Sequence, residues 1–138
     1  MANLRNPPVG RNKPLVQAKA RILVVEDEGI VALDVKLRLL SLGYSVTALA
    51  ASGEAAIQAA ATTRPDLVLM DIRLQGQMDG IEAAREILAR FDIPVVYITA
   101  LSDDRTMQRI AETPHSGCIL KPFADIDLQT AIERGLSR

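Results

Sequence analysis

Short apolar runs alternate with amphipathic stretches five times along this chain, and this alternation constrains the fold more than any other feature. Ile22–Val25, Leu67–Met70 and Val95–Ile98 are continuous apolar runs, typical of parallel strands that are buried on both faces. Val46–Leu49 is half polar and Cys118–Leu120 is short, as we expect of strands at the edges of a sheet. Such an alternation predicts a parallel sheet that is covered by helices on both faces.

The stretches between the apolar runs carry helix signals. In the first of them, apolar residues recur at helical spacing, and we expect this stripe to pack against the sheet: Ile30, Leu33, Leu37 and Leu40. The residues that we expect to end or begin helices are Gly43 (end of the first helix), Ser52 (start of the second), Ser102 and Asp103 (start of the fourth) and Asp125 (start of the last).

Strand polarity predicts the order of the sheet. The first, third and fourth runs are the most uniformly apolar, so they should be central, with the second and fifth strands at the edges. The fold class that fits is α/β, a doubly wound (βα)5 sheet with the flavodoxin-like order 2-1-3-4-5.

Length and composition indicate one domain. A chain of 138 residues with a net charge of -1 can bury one core and gives no global electrostatic reason to bind nucleic acid or a membrane surface. One cysteine excludes an intrachain disulfide and a cysteine-based metal cluster. Without an apolar signal core or a run of roughly 18 apolar residues, we expect a cytoplasmic location.

The first 19 residues differ from the rest of the chain. They contain Pro7, Pro8, Gly10 and Pro14, four basic residues and no acidic residue. This composition predicts a flexible tail over 1–19, or a basic arm that touches a partner or nucleic acid, before a domain over 20–138.

Polar side chains follow four of the five predicted strands. Glu26 and Asp27 follow the first strand, Asp71 the third, Thr99 the fourth and Lys121 the fifth. Because sites in open α/β sheets form outside the carboxyl ends of the strands, we expect these side chains to meet at one rim. Taken singly, the acids could complement a helix dipole, the threonine could cap a helix and the lysine could be solvated. Because all of them follow the carboxyl ends of strands, we favour the interpretation that they form a functional site.

Three carboxylates at one rim repel each other. Two like charges ~4 Å apart cost on the order of 1 kcal/mol in water and about 4 kcal/mol at an effective dielectric of 20. Lys121 offsets part of this repulsion, and all-oxygen ligands favour Mg²⁺ (or Mn²⁺) for the rest. Such a site suits attack of Asp71 on phosphorus, with Lys121 neutralising phosphoryl oxygens and Thr99 donating a hydrogen bond.

These residues together form a known pattern. Its parts are Glu26-Asp27, Asp71 at the end of the third strand, Met78-Asp79-Gly80, Thr99-Ala100 and Lys121-Pro122-Phe123. In this set, from about Arg21 to the C-terminus, the chain resembles the receiver domain of bacterial two-component response regulators, the CheY-like family.

The resemblance implies a phosphorylation switch. A partner histidine kinase, or a histidine phosphotransfer protein, would donate a phosphoryl group from phosphohistidine to Asp71. Asp27 and Asp71 would ligate Mg²⁺ directly, Glu26 would help through water, and the backbone carbonyl of Arg73 would be a further ligand.

The resemblance also implies how the switch works. Lys121 would pair with the phosphoryl group, and Thr99 would move toward it and remodel the fourth helix and fifth strand. The Lys121-Pro122 bond would be cis, against a background rate of about 5% for such bonds.

The chain departs from the common family pattern at three points. The first acid is Glu26 rather than Asp, and the loop after Asp71 has Gly76 where proline is common and is one residue longer than in the shortest members. The switch position, which is usually Tyr or Phe, is Cys118. Cys118 is either a small buried hydrophobe or a redox sensor. Tyr97, on the same strand face as Thr99, either packs in the core or partly replaces the missing aromatic ring.

Three functions remain to be weighed. The first is a stand-alone phosphoacceptor switch: because the chain ends after the fifth helix, we expect no DNA-binding domain and an output through protein contacts. An unidentified downstream protein or a second copy would bind the face of helix four, strand five and helix five.

The second function is that of a phosphatase. Phosphatases with an Asp nucleophile commonly need a second Asp two residues after it, where this chain has Arg73. We therefore expect no enzyme activity beyond slow self-dephosphorylation. The third is a pseudo-receiver with altered or lost switching at Cys118.

Overall fold

The computed structural model describes residues 19–100 and 103–137. The tail expected over 1–19 therefore lies outside the described residues except for Lys19, and so does Ser102. Within the described part of the chain, the strands are β1 (Arg21–Val25), β2 (Ser45–Ala50), β3 (Leu67–Asp71), β4 (Val95–Thr99) and β5 (Cys118–Leu120). The helices there are α1 (Gly29–Ser41), α2 (Gly53–Thr63), α3 (Gly80–Phe91), α4 (Asp104–Ala111) and α5 (Asp125–Leu136).

The sheet has the predicted topology. All strand pairs are parallel and their order is β2-β1-β3-β4-β5, which confirms the doubly wound fold. β3 and β4 are buried along their whole length, whereas β2 is only partly buried. This order places β3 between β1 and β4, so the end of β3 lies at the centre of the rim.

Two apolar cores cover the two faces of the sheet. Side chains alternate along β1, so Leu23 and Val25 face one core and Ile22 and Val24 face the other. The first core includes side chains of α2, α3 and α4, and the second includes side chains of α1 and α5.

The prediction of which apolar stripe packs α1 against the sheet is wrong. Its four residues are exposed: Ile30 (86%), Leu33 (50%), Leu37 (55%) and Leu40 (46%). The sheet buries a neighbouring stripe instead, Ala32, Val35 and Leu39. Both stripes have helical spacing, so periodicity cannot choose between them; the path of the chain from β1 to β2 decides which stripe meets the sheet.

None of the helices in the described part of the chain, α1 included, has the length and apolar character needed to cross a membrane.

Several of the predicted helix ends are confirmed. Ser52 precedes α2 and its hydroxyl accepts a hydrogen bond from the Ala55 amide at 3.1 Å. Asp103 precedes α4 and accepts from the Thr106 amide at 2.8 Å. Gly43, with a φ of 96°, follows α1 in a conformation that favours glycine.

The predicted cap at Asp125 is wrong. Asp125 is the first residue of α5, and Ala124 precedes the helix. The Ala124 amide donates to the Asp127 carboxylate at 2.9 Å. The Asp125 carboxylate instead accepts a hydrogen bond of 2.6 Å from Arg38 of α1, so it ties two helices together rather than capping one.

Candidate functional site

The predicted site residues meet at the carboxyl end of the sheet. Carboxylate oxygens of Glu26, Asp27 and Asp71 lie within 4.8 Å of one another. Thr99 is buried at the end of β4, and its carbonyl accepts the Lys121 amide at 2.8 Å. The Lys121-Pro122 bond is cis, as the resemblance implied. The fold therefore brings all five residues to one rim, while their chemical roles stay predictions.

Lys121 is the positive charge at the centre of the site. Its ammonium donates to Glu26 Oε1 at 2.8 Å and lies 3.4 Å from Asp71 Oδ2. The side chains of Glu26 and Asp71 are 5% and 10% exposed. The closer and better hydrogen bond goes to Glu26, so Asp71 is the less compensated of the two buried acids.

Because of this arrangement, the pKa values of the two acids are shifted in opposite directions. Burial and the neighbouring charge of Glu26 raise the pKa of Asp71 to about 6, although Lys121 acts to lower it. Burial also acts to raise the pKa of Glu26, but hydrogen bonds from Lys121 and the Glu28 amide outweigh it and hold that pKa below its ordinary value. Lys121 and Glu26 thus form a charged pair, and Asp71 is the acid that a further cation would stabilise.

The loop after β3 folds back onto the carboxylates. The Arg73 amide donates to Asp71 Oδ1 at 3.1 Å, and the Gln75 amide donates to Asp27 Oδ2 at 3.2 Å. The Arg73 guanidinium lies 3.7 Å from the carboxylate of Asp103. These amides fix the orientation of the acids, because each carboxylate accepts a main-chain hydrogen bond.

Gly80 packs against the main chain of Asp71. A Cβ atom at residue 80 would overlap the carbonyl oxygen of Asp71 and lie 2.8 Å from the Cα atom of Ile72. The Gly80 amide donates to the Ile72 carbonyl at 2.9 Å. Only glycine allows α3 to begin this close to the site, a constraint that sequence reasoning missed because Gly80 enters there only as part of the Met78-Asp79-Gly80 motif.

Asp79 links the start of α3 to α4. Its Oδ1 accepts the Glu82 amide at 2.9 Å, and the Asp79 amide donates to the Glu82 carboxylate at 3.0 Å, which completes a capping box. Its Oδ2 accepts from Arg109 of α4 at 2.7 Å. Sequence reasoning missed Arg109, because nothing local to α4 signals a partner 30 residues earlier in the chain.

Cys118 and Tyr97 are neighbours on adjacent strands. They are paired in the register of β4 and β5. Burial raises the pKa of the half-buried Cys118 thiol, which lowers its thiolate fraction and does not favour redox sensing. Tyr97 is 0% exposed, and within residues 19–100 and 103–137 its hydroxyl has no hydrogen-bond partner. Tyr97 therefore packs in the first core, which was one of the two expectations for it, and its part in replacing the missing aromatic ring stays a prediction.

The donor set fits a hard divalent cation. The three carboxylates offer oxygen atoms only, which are the ligands that Mg²⁺ prefers, and Lys121 leaves one acid without full charge compensation. The residues present therefore suit Mg²⁺ or Mn²⁺ better than a metal that needs thiolate or imidazole ligands.

Comparisons with known proteins agree with this geometry. The model of the response regulator receiver domain family matches residues 22–133. The transcriptional regulatory protein PdtaR of Mycobacterium tuberculosis is 36% identical over 118 residues, which cover 86% of this chain and 57% of PdtaR. The phyllosphere-induced regulator PhyR of Methylorubrum extorquens is 32% identical over 117 residues, which cover 83% of this chain and 43% of PhyR.

A solved structure is similar over nearly the same range. The receiver domain of the sensor histidine kinase PA1611 from Pseudomonas aeruginosa is 33% identical with a TM-score of 0.78, over 88% of this chain and 100% of that domain. That structure has a magnesium ion coordinated in its active-site cleft. The chain spans about half the length of the curated relatives that it matches. This chain belongs to the response regulator receiver domain family.

Proposed function

We propose that this receiver domain is a Mg²⁺-dependent phosphoacceptor whose Asp71 takes a phosphoryl group from a partner histidine kinase or histidine phosphotransfer protein. The observation that carries the proposal is the position of Asp71 at the centre of the rim. Its carboxylate lies 3.4 Å from the Lys121 ammonium and within 4.8 Å of oxygens of Glu26 and Asp27.

The transfer needs an ionised Asp71. With a pKa of about 6, most of the carboxylate is charged at neutral pH. One oxygen attacks the phosphorus of phosphohistidine, an O–P bond forms, and the N–P bond breaks with its electron pair left on the imidazole nitrogen. The products are an acyl phosphate on Asp71 and a histidine. Lys121 places its charge beside the phosphoryl oxygens, and the Thr99 hydroxyl would donate to one of them.

The residues that would hold Mg²⁺ are Asp27, Asp71, the carbonyl of Arg73 and, through water, Glu26. When bound, the ion neutralises charge on the phosphoryl oxygens. The proposed donor set draws support from the magnesium-bound neighbour and from the acids that cluster here.

The exposed stripe of α1 is the surface on which the phosphodonor would dock. Ile30 is the second residue of α1 and follows Asp27 by three positions. Ile30, Leu33, Leu37 and Leu40 repeat with the three-four-three spacing of a seam for another helix. All four are exposed by 46% or more. A helical partner laid along this stripe would carry its phosphohistidine to the acidic rim.

Replacing Ile30 and Leu33 with serine should separate docking from chemistry. We expect transfer from a kinase to fall by tenfold or more, since about 1.4 kcal/mol of lost contact corresponds to a factor of ten. Labelling by acetyl phosphate should not change, because this small donor needs no docking surface. The kinase is the one that labels the native chain fastest in a panel of purified kinase domains. Leu136→Ser, an exposed apolar site on α5, is the control, and equal losses in both variants would rule out docking on α1.

The proposal is tested by incubation with acetyl phosphate and Mg²⁺, followed by intact mass measurement. We expect one phosphoryl adduct. It should not form when a chelator removes Mg²⁺, and it should be absent in Asp71→Asn. Asp66→Asn is the matched control, because Asp66 lies before the opposite end of β3 and binds the Arg21 amide at 2.8 Å; it should be labelled like the native chain. Native protein that stays unlabelled would contradict the proposal.

The half-buried Cys118 supports a second candidate, a pseudo-receiver that binds partners without switching. A phosphatase is a weaker candidate, because the residue two positions after Asp71 is Arg73, whose side chain pairs with Asp103. If the chain is a switch, its output face is formed by α4, β5 and α5, where Met107, Leu120 and Ile126 are exposed. A downstream protein or a second copy of the chain would bind there.

A further inference from the structure

Polar contacts tie α4 to the rest of the fold. Ile110 is its buried residue, whereas two of the ion pairs described above reach α4 from the segment that follows Asp71. At its start, Asp103 lies 3.7 Å from Arg73. In its last turn, Arg109 donates to Asp79 at 2.7 Å. The position of this helix therefore depends on the segment that carries the phosphorylation site.

The Asp79 end of this connection is rigid. The capping box with Glu82 holds Asp79 at the start of α3, and Gly80 directly after it is pressed against the main chain of Asp71. A displacement of the Asp71 main chain would therefore move Gly80 and, one residue away, the carboxylate that binds Arg109. The chain of contacts from Asp71 to α4 has no gap.

The Arg109 end is also tied to its surroundings. The Thr113 hydroxyl donates to the Arg109 carbonyl at 2.7 Å and accepts from Arg85 of α3 at 3.2 Å. Burial raises the pKa of Tyr97 to about 12, and the charges of Arg85, Asp79 and Arg109 act on that pKa to a smaller extent; within the described residues the Tyr97 hydroxyl has no hydrogen-bond partner.

We propose that the Asp79–Arg109 ion pair transmits the phosphorylation state of Asp71 to α4, by a route that does not pass through residue 118. The inference rests on the proposed function, because it needs Asp71 to be modified. Asp79 and Arg109 are positioning residues in this account: neither touches the phosphoryl group. The lack of an aromatic ring at Cys118 then removes no essential step, since the coupling runs through α3 and α4 rather than through β5.

The test uses beryllofluoride and Mg²⁺ as a phosphoryl mimic and two NMR observables. Fluorine resonances report beryllofluoride bound at Asp71, and backbone amide shifts of residues 104–111 report the response of α4. Arg109→Gln removes the charge and keeps a helix-forming side chain, whereas Arg109→Lys keeps the charge. Arg105→Gln, at an exposed site on the same helix, is the matched control. Amide shifts of the central strands verify that each variant is folded.

We expect Arg109→Gln to bind beryllofluoride like the native chain, with the α4 response reduced to less than about half. Arg109→Lys should keep more of the response, and Arg105→Gln should keep all of it. Asp79→Ser retains a capping oxygen without the charge, so it should lose as much as Arg109→Gln, and the double variant should lose no more.

Two results would overturn this route. One is a full α4 response in Arg109→Gln while beryllofluoride is bound, and the other is additive losses in the double variant. If the native chain binds no beryllofluoride, the proposed function itself fails. That result differs from a failed route, in which the mimic binds and α4 responds without the ion pair.

Discussion

Replacing Asp71 with asparagine is expected to stabilise the metal-free fold while it abolishes phosphoryl acceptance. The native carboxylate is buried beside Glu26, and Lys121 makes its shorter hydrogen bond to Glu26. An asparagine removes the repulsion between the two acids and can still accept the Arg73 amide. It has no carboxylate oxygen with which to attack phosphorus.

The sign and size of this effect follow from the pKa of Asp71. Its value rises from 3.8 in a model compound to about 6 in the fold, so the native state holds this proton more tightly than the unfolded chain. Stability is therefore lost as pH rises from about 4 through about 6, and the loss persists above. Two pKa units correspond to roughly 3 kcal/mol, and we expect a gain of about 1–3 kcal/mol for Asp71→Asn at neutral pH.

Urea unfolding in a chelator at several pH values checks this prediction. The gain of Asp71→Asn should be largest above about pH 7 and should shrink as pH falls through about 6 toward about 4, where the carboxyl is protonated in both the folded and the unfolded chain. An asparagine variant that is less stable than the native chain at neutral pH would show that Asp71 is not destabilised in the fold.

Among alanine substitutions at the described glycines, Gly80→Ala is expected to cause the largest loss of stability. The added carbon would overlap the carbonyl oxygen of Asp71 and crowd the Cα atom of Ile72, and main-chain atoms cannot rotate away as a side chain can. We expect a loss of about 3 kcal/mol. The start of α3 would also push on Asp71, so labelling by acetyl phosphate should slow.

Gly29→Ala is the matched control for this substitution. Gly29 is the first residue of α1, as Gly80 is of α3, and nothing lies within 4 Å of a Cβ atom built there. Alanine at this position should leave the fold unchanged or stabilise it by about 0.5 kcal/mol. Urea midpoints of the two variants measure the contrast, and similar midpoints would show that α3 can move away from Asp71 at little cost.

The sheet and the location of the site could be predicted from sequence because both depend on local patterns. The apolar runs are buried in strands where they were expected, and the side chains that follow them are placed by the parallel topology. Glu26, Asp71 and Lys121 meet because β1, β3 and β5 end at one rim, which the strand order already implies.

The errors and omissions concern choices that local patterns do not encode. Ile30 and Val35 lie on two stripes of α1 with the same spacing, and only the packing of the whole chain selects which one is buried. Asp125 has the type of residue that caps helices, but Arg38 of another helix binds it. The pairing of Asp79 with Arg109 depends on how α3 and α4 are juxtaposed in three dimensions.

The most direct test of the account is to identify the residue that accepts the phosphoryl group. After incubation with acetyl phosphate and Mg²⁺, borohydride reduction converts an aspartyl phosphate to homoserine, which peptide mass spectrometry locates. We predict homoserine at residue 71, no homoserine at Asp27 and no 2-amino-5-hydroxypentanoic acid, the corresponding reduction product of a glutamyl phosphate, at Glu26. A labelled protein whose peptide retains aspartate at residue 71, with the modification elsewhere, would contradict it.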